Sequence, residues 1–505
     1  MSLKKNVIAN FVGQGWTALM GLAFLPLYIK YLGIEAYGLI GFYAVMQAWL
    51  VLLDLGITQT LNREMARFIA GLHTPQSIHD LLRSLEIISI GLATIICALV
   101  WVSSSYIASR WLDAQNLTNS EIKNAVTLMG LVIALRFIEG IYKGALLGLQ
   151  KQVAVNIANV LIATMRYGCV IAVLVWYASS ITVFFAWQAL TSVISLVVVL
   201  LLVYKTLPTP PRFPGFSSTA IKKIWRFASG MLGITFLAVL LTQVDKLLLS
   251  KLISLEDYGY YTLAATISGG LALITAPTTT AIYPKMVQYV AQERKQELTI
   301  LFHQGAQLVS TLIAPVAMML VFCGEDIVYL WSGDMNLAKK TAPILLPLAL
   351  GSFLNCLLWM PYQLQLAYGW TKFGIKVNAI AVALLIPAIF LITPHYGAVG
   401  AAWVWTLLNT GYLIIGMHFM YKKLLPSEKW AWYWQDITKQ TMFAVFVMVV
   451  VRFMMEWLLI NNSLIKSAIY VFALCGAIFA AIWQSNQIKL FAMKNINTFF
   501  KPQND

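Results

Sequence analysis

Arg136-Phe-Ile-Glu139-Gly-Ile-Tyr-Lys143 interrupts a long apolar run. Residues spaced i, i+3 and i+7 share one helix face. In a helix, Arg136, Glu139 and Lys143 therefore form one polar stripe of net positive charge. A second guanidinium, Arg166, falls in the middle of the next apolar run, with no acidic neighbour in sequence. Guanidinium groups offer planar, paired donors to phosphate and carboxylate oxygens. Two readings fit the stripe. It is an internal Arg–Glu–Lys network that only joins helices, or it is a wall facing an anion. The isolated Arg166 favours the second.

Other polar residues stand out against apolar surroundings. Asn10 and Gln14 are spaced i, i+4 beside Gly13 and Gly15. They either bond between helices or line a polar ligand. Asp54 reads as a helix cap paired with Arg63 or Arg67, or as a gating or proton-linked carboxylate. Asp245 and Lys246 point to different helix faces, which argues against their pairing. Lys246 then snorkels to an interface, and Asp245 pairs across the chain or serves as a gate or cation site. Arg452 and Glu456, at i, i+4, are expected to pair locally. Pro277 and Pro284 bracket Thr278-Thr279-Thr280, where hydroxyls can re-satisfy a broken backbone ladder; a bend is expected.

Catalytic and metal chemistry is not written here. There is no Walker motif, GxSxG or HExxH, so no catalytic residue is assigned. The five histidines lack metal spacing, and the five cysteines sit in apolar runs without a CxxC, reading as small hydrophobes. No cofactor and no metal are expected. The net charge of +15 could suggest nucleic acid, but no basic run interleaves with aromatics.

The solvent for this chain is lipid. Of its 505 residues 60% are hydrophobic and 11% charged, against about 25% charged in a soluble domain. Mean hydropathy is +0.76. Spans need about 20 apolar residues and satisfy their own backbone as helices. About fourteen are read, at roughly 7–31, 37–58, 82–107, 124–148, 153–176, 181–204, 225–250, 258–283, 298–323, 341–366, 373–393, 397–421, 438–459 and 464–485. Alternate connections hold most of the Lys and Arg, which places them and both termini in the cytoplasm.

The chain also repeats itself. Lys30-Tyr-Leu-Gly-Ile-Glu-Ala-Tyr37-Gly38 returns about 221 residues later as Lys251-Leu-Ile-Ser-Leu-Glu-Asp-Tyr258-Gly259. Ala186-Trp187 matches Ala402-Trp403, and Lys151-Gln-Val-Ala-Val-Asn156 resembles Lys372-Phe-Gly-Ile-Lys-Val-Asn378. The expected fold is an all-α polytopic membrane protein of two pseudo-symmetric lobes of six helices plus two C-terminal helices. Residues 1–206 make the first lobe, 207–220 a Pro-rich cytoplasmic linker and 221–423 the second lobe. Residues 424–505 carry spans thirteen and fourteen and a cytoplasmic tail.

The Asn/Gly-rich first span, Pro26, Tyr31-Leu32-Gly33, Tyr37-Gly38, Leu53-Asp54-Leu55-Gly56 and Arg63-Glu64 resemble Wzx-type O-antigen or oligosaccharide flippases. These belong to the multidrug/oligosaccharidyl-lipid/polysaccharide exporter (MOP) superfamily. The resemblance implies V-shaped, MATE-like lobes around a cationic cavity in the bacterial inner membrane. The implied cargo is an undecaprenyl-diphosphate-linked oligosaccharide, flipped from the cytoplasmic to the periplasmic leaflet. Arg136, Lys143 and Arg166 would then meet phosphate or acidic sugars, with Asn10 and Gln14 as further lining. A proton or sodium gradient would act through Asp54, Glu139, Asp245 or Lys246. Lipid-bilayer, polymerase and chain-length-regulator partners are implied. A peptidoglycan-precursor (lipid II) flippase and a multidrug antiporter of the same superfamily are alternatives. A membrane glycosyltransferase or polymerase is a further one, but no large outward polar domain is present to carry its catalysis.

Overall fold

The computed structural model describes residues 3–50, 52, 54, 56–216, 236–457 and 463–484, with backbone alone at 3–9, 11, 50, 456, 463–464 and 480–484. The first part of the seventh span with Lys222, Lys223 and Arg226, the tail with Lys489, Lys494 and Lys501, and the Glu456 side chain expected to pair with Arg452 lie outside the described residues.

Contacts divide the chain into two compact units, Met1–Gly259 and Tyr260–Asp505. The first holds α1 (Leu3–Ala23), α2 (Leu25–Leu32), α3 (Ile34–Leu50), α4 (Ile57–Ile69), α5 (Pro75–Tyr106), α6 (Asn119–Gly148), α7 (Gln152–Ala163), α8 (Val170–Trp176), α9 (Ile181–Thr206) and α10 (236–252). Helix α11 (Leu255–Ala291) leads into the second unit. That unit holds α12 (Lys295–Ser332), α13 (Met335–Leu357), α14 (Trp359–Ala367), α15 (Thr371–Gly411), α16 (Met417–Lys423), α17 (Lys429–Ala431), α18 (Lys439–Trp457) and α19 (Ser463–Gln484).

Ten described segments are long and apolar enough to cross a membrane. One of them, Thr371–Lys423, carries both the eleventh and twelfth expected spans, parted at Gly397 with φ 57° and ψ −147°. Only glycine tolerates that backbone well. The fourteenth span's described apolar part runs Ile465–Phe479. The second span departs from expectation. Its helix ends at Leu50, and a new one starts after Gly56, whose φ is +73°. Asp54 sits in the break, bonding Thr58 through its Oδ1. A short acid that captures nearby backbone and a left-handed glycine are both helix-ending signals.

Apolar side chains have no hydrophobic reason to leave lipid for one another, so close backbone approach holds such bundles together. Helix α6 supplies it with Gly140, Gly144 and Gly148, one face at i, i+4 and i+8, laid against α4. A Cβ on Gly144 would come within 2.8 Å of the Thr58 methyl and carbonyl, and one on Gly148 would strike Asn62 and Met65. The repeated stretch makes a reciprocal contact within the first unit. Gly38 packs on Leu255, and Gly259, its counterpart, packs on Ile34. Pro277 and Pro284 both lie inside the single helix α11, where Thr275, Thr279 and Thr280 donate to carbonyls three or four residues back. Of the aromatic trio that follows the twelfth span, Trp430 and Trp434 are exposed, but Trp432 is buried against Tyr421.

Candidate functional site

Arg136 projects from α6 between three helices. Its Nη1 donates to Gln47 Oε1 on α3 at 3.0 Å, and its Nη2 to Gln188 Oε1 on α9 at 3.2 Å. The guanidinium also lies 5.4 Å from the Tyr43 ring centroid. Both hydrogen-bonding partners are neutral amides. The Nε is buried without a partner, and among the described residues no carboxylate pairs with this arginine.

Arg166 is held by a local irregularity. The fifth span runs as α7, then a π-helical turn Thr164–Cys169, then α8. The wider turn upsets the backbone ladder, and side chains take up the carbonyls. Trp187 Nε1 donates to Met165 O at 3.0 Å, Gln188 Nε2 to Arg166 O at 3.3 Å, and Tyr28 Oη to Tyr167 O at 2.6 Å. Gln188, 3% exposed, thus bonds the side chain of one arginine and the backbone of the other. Arg166 Nε and Nη2 are buried with no partner. Its electrostatic neighbours are Arg136, Glu139, Tyr43 and Tyr167.

The expected stripe is therefore not uniformly cationic. Glu139 accepts from Lys143 Nζ at 2.7 Å and from Ser195 Oγ at 2.6 Å. That pair is locally neutral, and Lys143 lies about two turns beyond the arginine it was grouped with. The surplus charge rests on Arg136 and Arg166. Arg136 and Arg166 repel each other, and among the described residues neither has a carboxylate within ion-pairing distance, Glu139 reaching Arg166 only as a longer-range charge. Guanidiniums without a carboxylate are groups that anionic oxygens can take as partners.

The remaining expected residues lie elsewhere. Asn10 accepts from Asn156 Nδ2 at 2.6 Å, joining the first and fifth spans, while Gln14 is exposed. Asp54 caps α4 but does not take Arg63 or Arg67. Those arginines go to Glu64, at 2.7 and 3.3 Å, with His73 Nε2 at 2.7 Å from the same carboxylate. Burial alone would raise the Glu64 pKa. Hydrogen bonds from Arg63 and His73 and the charge of Arg67 outweigh it and hold the group below the usual carboxylate range. Asp245 and Lys246 do approach each other, Nζ to Oδ1 at 3.8 Å, against the expectation from helix geometry. The lysine stem is long enough to curl back, as its 2.8 Å bond to Thr242 O shows.

Sequence reasoning missed Gln47, Tyr43 and Gln188, polar groups inside apolar runs that a search restricted to charges passes over. It also missed two buried acids with partners. Glu86 accepts from Tyr142, Tyr204 and Arg83, and Asp436 faces His303.

Family patterns, a curated relative and the fold together place the chain among the multi-pass membrane transporters of the MOP superfamily. In fold the chain is similar to a solved multidrug resistance MATE family transporter of that superfamily in an inward-facing conformation. The TM-score is 0.67 at 13% identity, covering 82% of this chain and 96% of the other. It is also similar to the lipid II flippase MurJ in an inward closed conformation. There the TM-score is 0.65 at 15% identity, covering 95% and 98%. The family pattern for polysaccharide biosynthesis proteins matches residues 3–290, and the MatE pattern matches 231–391. The chain belongs to the polysaccharide biosynthesis protein family. A relative from Shigella flexneri, described as "Putative O-antigen transporter", is 21% identical over 413 residues, 81% of this chain and 95% of that protein.

Proposed function

We propose that this transporter moves a polyprenyl-diphosphate-linked oligosaccharide, such as an O-antigen or other surface-polysaccharide repeat unit, from the cytoplasmic to the periplasmic leaflet by alternating access. One observation carries the reading. Among the described residues neither Arg136 nor Arg166 forms an ion pair with an acid, while the nearby lysine already has one. Charges inside a membrane are costly and mark substrate pathways. A diphosphate moved through hydrocarbon without counter-charge would meet a prohibitive desolvation penalty. Two guanidiniums bridged by one anion relieve both problems together. The Shigella relative's name supports a polysaccharide cargo.

The site sits in the bacterial inner membrane with both chain termini cytoplasmic, in keeping with the lysine-rich connections. A proton or sodium gradient drives the cycle, and a polymerase with a chain-length regulator takes the product. The lipid II reading shares the diphosphate, so this site serves it equally. A cationic-drug antiporter fits less well, because Glu139 is already engaged by Lys143 and Ser195.

The test is complementation in a strain lacking its own flippase. Arg136→Ala and Arg166→Ala are each expected to cut surface polysaccharide about 10- to 100-fold, the worth of a charged hydrogen bond, at unchanged protein level in the membrane. Normal export by both variants would refute the reading.

A further inference from the structure

The second unit contains a titratable cluster that the transport site does not use. His303 on α12 is buried and stands between two acids. Its Nδ1 lies 2.5 Å from Asp436 Oδ2, and its Nε2 lies 3.2 Å from Glu428 Oε2. Asp436 is fully buried in the π-helical turn Trp432–Thr438. Its second oxygen accepts from Gln307 Nε2 at 2.9 Å, one helical turn along α12.

Proton counting decides what this geometry requires. A neutral imidazole has one N–H and can donate to one acid only. With both ring nitrogens against carboxylates, the trio needs one proton more than a neutral ring and two ionised acids can supply. Without it a lone pair faces a carboxylate, and two uncompensated negative charges share a buried site, which is strongly unfavourable.

The two acids are not equivalent. Asp436 is sealed and held by Gln307. The Glu428 side chain is 28% exposed, and its residue precedes the single turn α17 at the start of the thirteenth span. Other titratable groups around the cluster are Tyr421 on α16 and Tyr433 in the π turn. The Tyr421 hydroxyl is buried without a partner, and Tyr433 donates to Leu413 O. Lys429 is turned away to His418 Nδ1 at 3.1 Å, so among the described residues no lysine pairs with either acid. When the proton leaves, Glu428 is the contact free to open into water.

We propose that His303, Asp436 and Glu428 form a proton-binding site that latches the start of the thirteenth span to the ninth, with Glu428 the group that lets go on deprotonation.

The full-length protein in detergent, with 15N-labelled histidine, tests this directly. The five histidines are few enough for His303→Asn to assign its own signals by difference. At pH 7 the His303 ring is expected to carry protons on both nitrogens. Its titration midpoint should fall by about one unit or more in Glu428→Gln, the effect of losing one close opposite charge. A neutral single tautomer at pH 7, or a midpoint unmoved by Glu428→Gln, would overturn the site. The latch is read separately, from spin labels at the exposed positions Ile300 and Pro426, which leave the bond from Ser427 Oγ to Glu428 Oε1 in place. The label separation should widen as pH passes the His303 midpoint, and should be wide at every pH in Glu428→Gln. A separation that ignores the titration would overturn the latch.

Discussion

The fourth to sixth spans of the first unit and the tenth to twelfth of the second solve the same packing problem with different chemistry. The first unit joins its helices through Arg136, Gln47, Gln188, Glu139, Lys143 and Ser195. The second uses neutral amides and hydroxyls. Asn355 Nδ2 donates to Asn409 Oδ1 at 2.9 Å, and Tyr412 Oη to Asn378 Oδ1 at 2.7 Å. The repeat makes the contrast sharper. Arg166 lies ten residues after Asn156, and the residue ten after the matching Asn378 is Ala388. Where the first unit has a π turn and a buried guanidinium, the second has a continuous helix. Ala388 lines an apolar trough of about 590 Å³, together with Leu384, Leu385, Leu408 and Tyr412. Neutral groups suffice to hold such spans together. The charge in the first unit is therefore not something the fold demands, which weakens the view of Arg136 and Arg166 as structural glue.

Moving the charge between units is the strongest way to break this contrast. Ala388→Arg in an otherwise unchanged chain is expected to lower the amount of folded protein in the membrane. A lone arginine at mid-span costs about 2.5–3.5 kcal/mol on insertion scales, and none of the residues lining the trough at Ala388 is an amide that could take it. Combined with Arg166→Ala it should not restore export. Quantitative blotting of membranes with a polysaccharide assay reads both effects. Restored export would mean that charge anywhere in the bundle suffices.

Glu139→Gln sharpens the contrast from inside the first unit. It leaves Lys143 without its carboxylate and Ser195 with a weaker acceptor. Breaking a buried pair costs about 3–5 kcal/mol, but the Lys143 side chain is 32% exposed, so a loss of about 1–3 kcal/mol is expected, read as a lower midpoint in thermal or denaturant unfolding. Transport per folded molecule should survive, because the substituted group is not one of the two guanidiniums proposed to meet the cargo. A transport loss exceeding the stability loss would instead make Glu139 part of the coupling machinery.

Gly144→Leu tests whether the first unit depends on backbone approach. The side chain must displace Thr58 on α4, and overpacking costs about 1–3 kcal/mol. Gly416→Leu is the control in the second unit. Only the Tyr412 ring, at 3.8 Å, stands near an added Cβ there, so a much smaller shift in unfolding midpoint is expected.

Much of this architecture was legible in the chain, for physical reasons. Spans announce themselves because lipid tolerates only long apolar runs, and the gap between 393 and 397 announced the Gly397 break. Arg136 and Arg166 stood out because charge within such runs is rare. Pairing was not legible. Which acid takes Arg63 depends on where α4 begins, and that was set by the break at Asp54 and Gly56. The π turn at Thr164–Cys169 leaves no composition signal, because its cause lies in Tyr28, Trp187 and Gln188 on other helices. His303 and Asp436 are 133 residues apart, and one sequence offers no way to join them.

The smallest effect separates the charged cluster at the edge of the first unit from the site within it. Glu64 is held ionised by Arg63, Arg67 and His73, and its pKa lies below its ordinary value of 4.5. A carboxylate with a depressed folded pKa contributes stability that is complete above the unfolded value and is lost as pH falls through the folded one. Glu64→Gln should therefore destabilise the protein at pH 7, and the gap from the native chain should close as pH falls below about 4. The partner arginines are about half exposed, so screening keeps the gap under about 1 kcal/mol, and 1 M salt should shrink it further. Unfolding midpoints of both proteins across pH 3–8 measure it. Export at pH 7 should stay within about twofold of native, in contrast to Arg136→Ala, since Glu64 already has its own arginine partners at a half-exposed site. A Glu64→Gln loss as large as that of Arg136→Ala would mean that charge without an acid partner is not what distinguishes the proposed transport site.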